Sequence, residues 1–317
     1  MNNLKKIGLT ALGTALVSSS AFAGALDVTG TAGITYVGNS KTDNGGNKFT
    51  QKSTISFTGS ADLDNGFTVS YYNNISGGDS VSNYNRHFDV DMGDMGKLRF
   101  AGNGTSGNGA VGAWDDKTPA ANEESWDIKG AGGETGPISQ QTGDDSFIYT
   151  NSAAIDGVTV MLNYKPGEAG VHDSTTGYGI AFTGMEGLNI GVAQEDNNTT
   201  DGAVVENTVI YATYAIDAFT IGIQANEVES QTANSDTEFE AWGVSYAVSE
   251  DLSISYGTST VEYETGASKS DQEADAIGVS WTNGSMSISA SRHDIQNVAG
   301  APTDDRDVTE VNLTFAF

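Results

Sequence analysis

Sixteen segments of this chain alternate apolar and polar residues with period two, and the links between them alternate strictly between short and long. In the first segment Leu26, Val28, Ala32, Ile34 and Tyr36 share one face, with Asp27, Thr29, Thr31 and Thr35 on the other. In the last, Val311, Leu313, Phe315 and Phe317 alternate with Asn312, Thr314 and Ala316. Such alternation marks strands with one apolar and one polar face. The short links fall at Asp62–Gly66, Gly93–Gly96, Asp156–Gly157, Glu186–Gly187, Asp217–Ala218, Ser249–Asp251 and Asn283–Gly284. Several are dipeptides in which Gly, Asn or Asp tolerates the positive φ of a two-residue hairpin. The long links lie near 38–48, 76–83, 103–145, 166–175, 195–203, 228–236, 264–271 and 294–304.

A sandwich has no reason to place every short turn at one end and every long loop at the other. A meander threaded through a membrane does, with short periplasmic turns and longer external loops. In lipid every backbone amide needs a partner, so the sheet must close, the last strand pairing with the first near 25–37. The expected fold is an all-β, 16-stranded antiparallel up-and-down transmembrane β-barrel. Its inward face is Ser, Thr, Asn, Gln and Gly, and a ring of 16 strands leaves an aqueous channel rather than a packed interior. No apolar run after residue 23 approaches the length of a membrane helix.

The first residues add a context. Lys5 and Lys6, the apolar run Ile7–Val17 and the A-x-A site Ala21–Ala23 read as a secretory signal peptide over 1–23, leaving 24–317 as the barrel. The run is shorter than the roughly 20 residues a membrane-spanning helix needs. Loss of Lys5 and Lys6 takes the formal net charge from −28 to −30. An exported chain with no cysteine depends on its hydrogen-bond ladder or core rather than on disulfides.

The stretch from Phe88 to Gly102, FDVDMGDMGKLRFAG, together with TISFTGSADLDNGFTVSY from Thr54 to Tyr71 and the aromatic end, resembles the general porins of Gram-negative outer membranes, most closely those of α-proteobacteria. The resemblance implies a homotrimer in the outer membrane, reached through the periplasm. It implies Phe317 as a signal for the assembly machinery, and a third external loop folded inward to narrow each pore. It also implies that loop carboxylates face a basic ladder on the opposite wall.

The third long link, 104–145, is far longer than an ordinary connection. Its candidate constriction residues are Asp115, Asp116, Glu123, Glu124, Asp127 and Glu134, against the basic Lys117 and Lys129. By parity Lys52, Lys97 and Arg99 point inward, whereas Arg86 shares the outward parity of Phe88 unless a bulge intervenes. The expected function is passive diffusion of small hydrophilic solutes and ions, with weak cation selectivity because acidic rings concentrate cations. A solute-specific channel with a saturable lumen site is the alternative; an enzyme or adhesin on a barrel scaffold, and a soluble exported β protein, are lesser ones.

Other signals carry less. Gly102–Gly107 matches G-x-G-x-x-G but lacks the following helix of a dinucleotide fold. His87, His172 and His293 lie in separate segments without zinc spacing, and no motif singles out a nucleophile, so catalysis is not expected. No cofactor is expected; Ca²⁺ on loop carboxylates such as Asp304, Asp305 and Asp307 is the alternative. The expected partners are outer-membrane lipid, other copies of the chain and the diffusing solutes, with no role for nucleic acid.

Overall fold

A computed structural model describes residues 26–41, 48–77, 81–103, 109–127, 144–167, 174–198, 204–264 and 269–317. The expected signal peptide, Lys129, Glu134 and His172 lie outside these residues. The first third holds strands β1 (Asp27–Asn39), β2 (Phe49–Asp62), β3 (Thr68–Gly77), β4 (Val81–Asp91) and β5 (Lys97–Asn103). A short helix α1 (Ala110–Trp114) precedes β6 (Ser146–Ile155), β7 (Val158–Lys165), β8 (Thr175–Met185) and β9 (Leu188–Asn198). Next come β10 (Val204–Ile216), β11 (Phe219–Ser230), β12 (Thr237–Ala247) and β13 (Leu252–Tyr263). The ring is completed by β14 (Gln272–Asn283), β15 (Met286–Gln296) and β16 (Arg306–Ala316).

Each strand pairs antiparallel with its neighbours in sequence, and β16 pairs with β1 to close the barrel. Ile34 lies opposite Leu313 and Tyr36 opposite Val311. The seam is completed below them: Phe317 N–H donates to the Gly30 carbonyl at 2.8 Å, and Gly30 N–H to the Phe317 carbonyl at 3.1 Å. The exposure pattern is the reverse of a soluble protein's. On β8, Tyr178 and Ile180 are about half exposed while Gly179 and Ala181 between them are buried. Large apolar side chains therefore face outward around the ring, where a bilayer solvates them, and polar side chains face the lumen.

The strands run further than the apolar alternation predicts. β9 continues to Asn198 and β11 to Ser230, into stretches expected as links near 195–203 and 228–236. Beyond the apolar belt the outward face turns polar, as at Glu227, Glu229 and Glu238. The ladder persists there although the hydrophobic signal has stopped. A bulge does occur between β4 and β5, at Arg86/His87. It does not turn Arg86 inward: Arg86 lies opposite Asn73, in step with the outward Phe88, and Nη2 donates to the Gly102 carbonyl at 3.2 Å.

Candidate functional site

Residues 109–127 of the long link after β5 run along the inner wall, held by contacts to successive strands. Ala110 N–H donates to Asn163 Oδ1 on β7 at 3.0 Å. Ala110, Val111 and Trp114 of α1 then pack with Ala181 on β8, Ala193 on β9, and Val209 and Tyr211 on β10. The Trp114 and Tyr211 rings lie 6.2 Å apart. Further on, Lys117 N–H donates to Gln224 Oε1 on β11 at 2.8 Å, and Gln224 Nε2 donates to the Asp115 carbonyl. Ala121 N–H reaches Ser255 Oγ on β13 at 2.8 Å. Asn122 goes furthest: Nδ2 donates to Ser291 Oγ on β15 at 3.0 Å, and Oδ1 accepts from Asn312 Nδ2 on β16 at 3.2 Å. The segment then doubles back, and buried Trp126 meets Phe239 on β12 edge-on at 5.0 Å.

The wall is shaped for this segment. Gly222, Gly243 and Gly257 lie directly opposite one another on β11, β12 and β13. A Cβ at Gly222 would lie 2.6 Å from Pro119 Cδ and 2.9 Å from the Lys117 carbonyl; at Gly243 it would lie 2.9 Å from the Pro119 carbonyl. This glycine row was not singled out from the sequence, although its signal is present: glycine at inward parity on three consecutive strands. Replacing Gly222 by valine is expected to push Pro119 off the wall toward the lumen axis. Single-channel recording should then show a smaller conductance than wild type, with the barrel still folded by heat-modifiable gel mobility.

Glu123, Glu124 and Asp127 lie on the returning part of the segment, which brings Glu124 back to Asp116. Asp116 and Glu124, eight positions apart, are brought into hydrogen-bond contact. Burial, and after it the Asp116 charge, pushes the Glu124 carboxyl up to about 8. Burial also raises Asp116, opposed by the hydrogen bond from Glu124 and by Lys117. The pair therefore holds one proton at neutral pH. Glu123, Glu124 and Asp127 carry oxygens within 4.8 Å of one another. Asp304, Asp305 and Asp307 do not converge in this way. Asp304 is held by Lys41 at 2.8 Å and Arg306 at 2.7 Å, Asp305 accepts from Asn297 N–H, and Asp307 faces Arg292 at 3.1 Å.

Lys97 and Arg99 lie on the inner face of β5, eight strands from β13 in a ring of sixteen, so they stand across the barrel from the Trp126 anchor. Lys52 shares the inward face of β2 with Thr54 and Ser56. The sequence reading missed Asp89, which is inward by the same parity that sends Phe88 and Val90 outward. Arg99 clamps it through Nε at 2.7 Å and Nη2 at 2.9 Å, and Lys97 Nζ lies 3.6 Å away. His87, stacked on Tyr72 with centroids 5.0 Å apart, completes this patch. One carboxylate thus offsets part of the positive charge on that wall. His293 is buried against Ser291 Oγ at 3.0 Å, a wall contact.

The model of the Gram-negative porin family matches residues 8–282 and, in a second overlapping segment, 192–317; the chain belongs to that family. It is an outer-membrane channel protein and not an enzyme. Among solved structures it is similar in fold to the OmpF of Salmonella typhi in complex with daunomycin. That likeness has 15% identity and a TM-score of 0.73, and covers 92% of this chain and 97% of the other. The trimer form of OmpT from Vibrio cholerae gives 14% identity and a TM-score of 0.70 over 93% and 100% of the two chains. The anion-selective porin from Comamonas acidovorans gives 12% and 0.67 over 92% and 99%. No curated protein sequence is a significant match.

Proposed function

We propose that the chain forms a passive, weakly cation-selective diffusion pore for small hydrophilic solutes and ions, with the 104–145 link as its constriction. One observation supports the reading: the Gly109–Asp127 segment is anchored strand by strand along the inner wall, with its Trp126 anchor across the barrel from Lys97 and Arg99; the carboxylates beside that anchor are proposed to face the two basic residues. Solutes crossing the gap between them meet a transverse field, negative on the loop side. The loop side dominates because Asp89 offsets the basic wall. At physiological salt the Debye length is about 8 Å, so only charges beside the path contribute. Liposome swelling with neutral sugars of increasing size tests this reading. Permeation rising linearly with concentration and falling with solute size supports a diffusion pore, and saturation would require a solute-binding site instead.

Two further parts of the reading concern assembly. The protein is proposed to work as a homotrimer, as the OmpT of Vibrio cholerae does in its trimer form; cross-linking of detergent-purified protein that yields only monomer would refute this. Phe317 is proposed as the residue read by the outer-membrane assembly machinery, since it is 78% exposed while its backbone already closes the seam. Phe317→Ala is then expected to lower the yield of heat-modifiable barrel in the outer membrane while in vitro refolding in detergent proceeds as for wild type.

A further inference from the structure

The link between β15 and β16 is not an outlying loop. Val298 is buried against Ala274 on β14, Ile295 on β15 and Val308 on β16, with Ala299 and Val37 of β1 beside them. Ile295 shares the inward parity of His293, and Val37 that of Thr35, so the link lies over the inner wall. Further contacts hold it there. Ala299 N–H donates to Gln272 Oε1 at 2.9 Å, Ser270 N–H donates to the Gly300 carbonyl at 3.1 Å, and a Cβ on Gly300 would press on the Tyr263 ring at 3.0 Å. From Tyr263 on β13 to Val37 on β1, the link covers the upper inner face of five neighbouring strands.

The backbone is held in a form that a free loop avoids. Asn297, Ala299 and Thr303 have φ of 52°, 55° and 69°, three residues other than glycine in the left-handed region within one link. Such conformations persist only where the surroundings over-determine them, and they gather at functional segments. The surroundings here include a clamp. Lys41 Nζ lies 2.8 Å from Asp304 Oδ1 and donates to the Thr303 carbonyl at 3.2 Å, while Arg306 Nη2 lies 2.7 Å from Asp304 Oδ2. Asn297 adds three more hydrogen bonds, donating to Asp305 and Asp271 and accepting from Thr303 N–H.

We propose that residues 297–305 form a second constriction, a shelf over the external mouth that solutes pass before the acidic loop. This inference rests on the pore reading and adds a specificity determinant to it. Lys41 and Arg306 balance Asp304 and Asp305, so the shelf sorts by size, whereas the acidic loop below sorts by charge. The chain has no cysteine, so a single thiol at exposed Ala301 can be modified alone. A bulky methanethiosulfonate added to Ala301→Cys from the external side in a planar bilayer is expected to lower open-channel conductance and leave the reversal potential unmoved. The same label on Glu240→Cys, exposed on the outward face of β12, should change neither. Val298→Ser, which weakens the apolar seat, is expected to raise conductance and the size limit for sugars. Channels whose conductance ignores both the Ala301 label and the Val298 change would overturn the shelf while leaving the pore standing. Absence of channels from folded, unlabelled protein would overturn the pore reading itself.

Discussion

Neutralising the loop carboxylates, with Asp116→Asn, Glu123→Gln, Glu124→Gln and Asp127→Asn together, is expected to abolish cation preference. A unit charge about 5 Å from an ion's path is worth about 0.8 kcal/mol in water, or roughly a fourfold change in local ion concentration. The permeability ratio of K⁺ to Cl⁻ should fall at least threefold, after allowance for screening. The reversal potential would move to zero or to the anion side, where Lys52, Lys97 and Arg99 take over. Glu124→Gln alone should do little at pH 7, because Glu124 is pushed up to about 8 and is already mostly protonated. It should, however, remove a pH dependence. In wild type, raising the pH from 6 to 9 adds close to one negative charge to the loop, so cation preference rises with pH. The sign for loop docking is opposite. A carboxyl raised in the folded state stabilises at acid pH, and that contribution is lost as pH climbs through about 8. A reversal potential flat from pH 6 to 9 would remove the Asp116–Glu124 pair from the permeation path.

Replacing Trp114 by alanine should have the second large effect. Its ring is buried between Tyr211 and the glycine-lined wall at Gly179, and truncating a buried tryptophan costs about 3–5 kcal/mol. That loss falls on loop docking rather than on the barrel, whose strand ladder Trp114 does not join. The expected result is a larger and noisier single-channel conductance, a higher size limit in liposome swelling and a barrel that stays folded by heat-modifiable mobility. Trp242→Ala, on the outward face against Tyr256, should leave conductance unchanged. The opposite signs expected for Trp114→Ala and Gly222→Val make the pair informative. Removing an anchor should open the lumen, and lifting the loop off its seat should close it. Unchanged conductance in both would show that the 109–127 segment does not govern the aperture.

The barrel itself was legible because period-two alternation and turn chemistry are local. Asp156-Gly157 and Glu186-Gly187 turn tightly, with φ of 70° and 77° at the glycines, and the strand count follows from such links. Strand ends were less legible, since a strand that leaves the bilayer loses its apolar face without losing its ladder, as β11 does from Glu227 to Ser230. The candidate site was legible in composition and opaque in arrangement. Loop length and the carboxylates of 115–127 were plain, yet nothing local says that Asp116 meets Glu124 while Asp115 does not. That pairing depends on the chain doubling back between Asn122 and Trp126, which depends in turn on where the wall is bare. Asp89 was readable from the parity of Phe88, but its role depends on the clamp by Arg99, which alternation alone does not show. The inward turn of 297–305 had no sequence signal beyond Val298 and Gly300 in a polar link.

The most direct test of the account is the reversal potential of the purified protein in a planar bilayer under a tenfold KCl gradient at neutral pH. Stable open steps with a potential of cation-preferring sign are expected, reduced toward zero as salt rises on both sides. Stable steps with an anion-preferring sign would contradict the proposed reading, and would place control of permeation with Lys97 and Arg99 instead of the loop carboxylates.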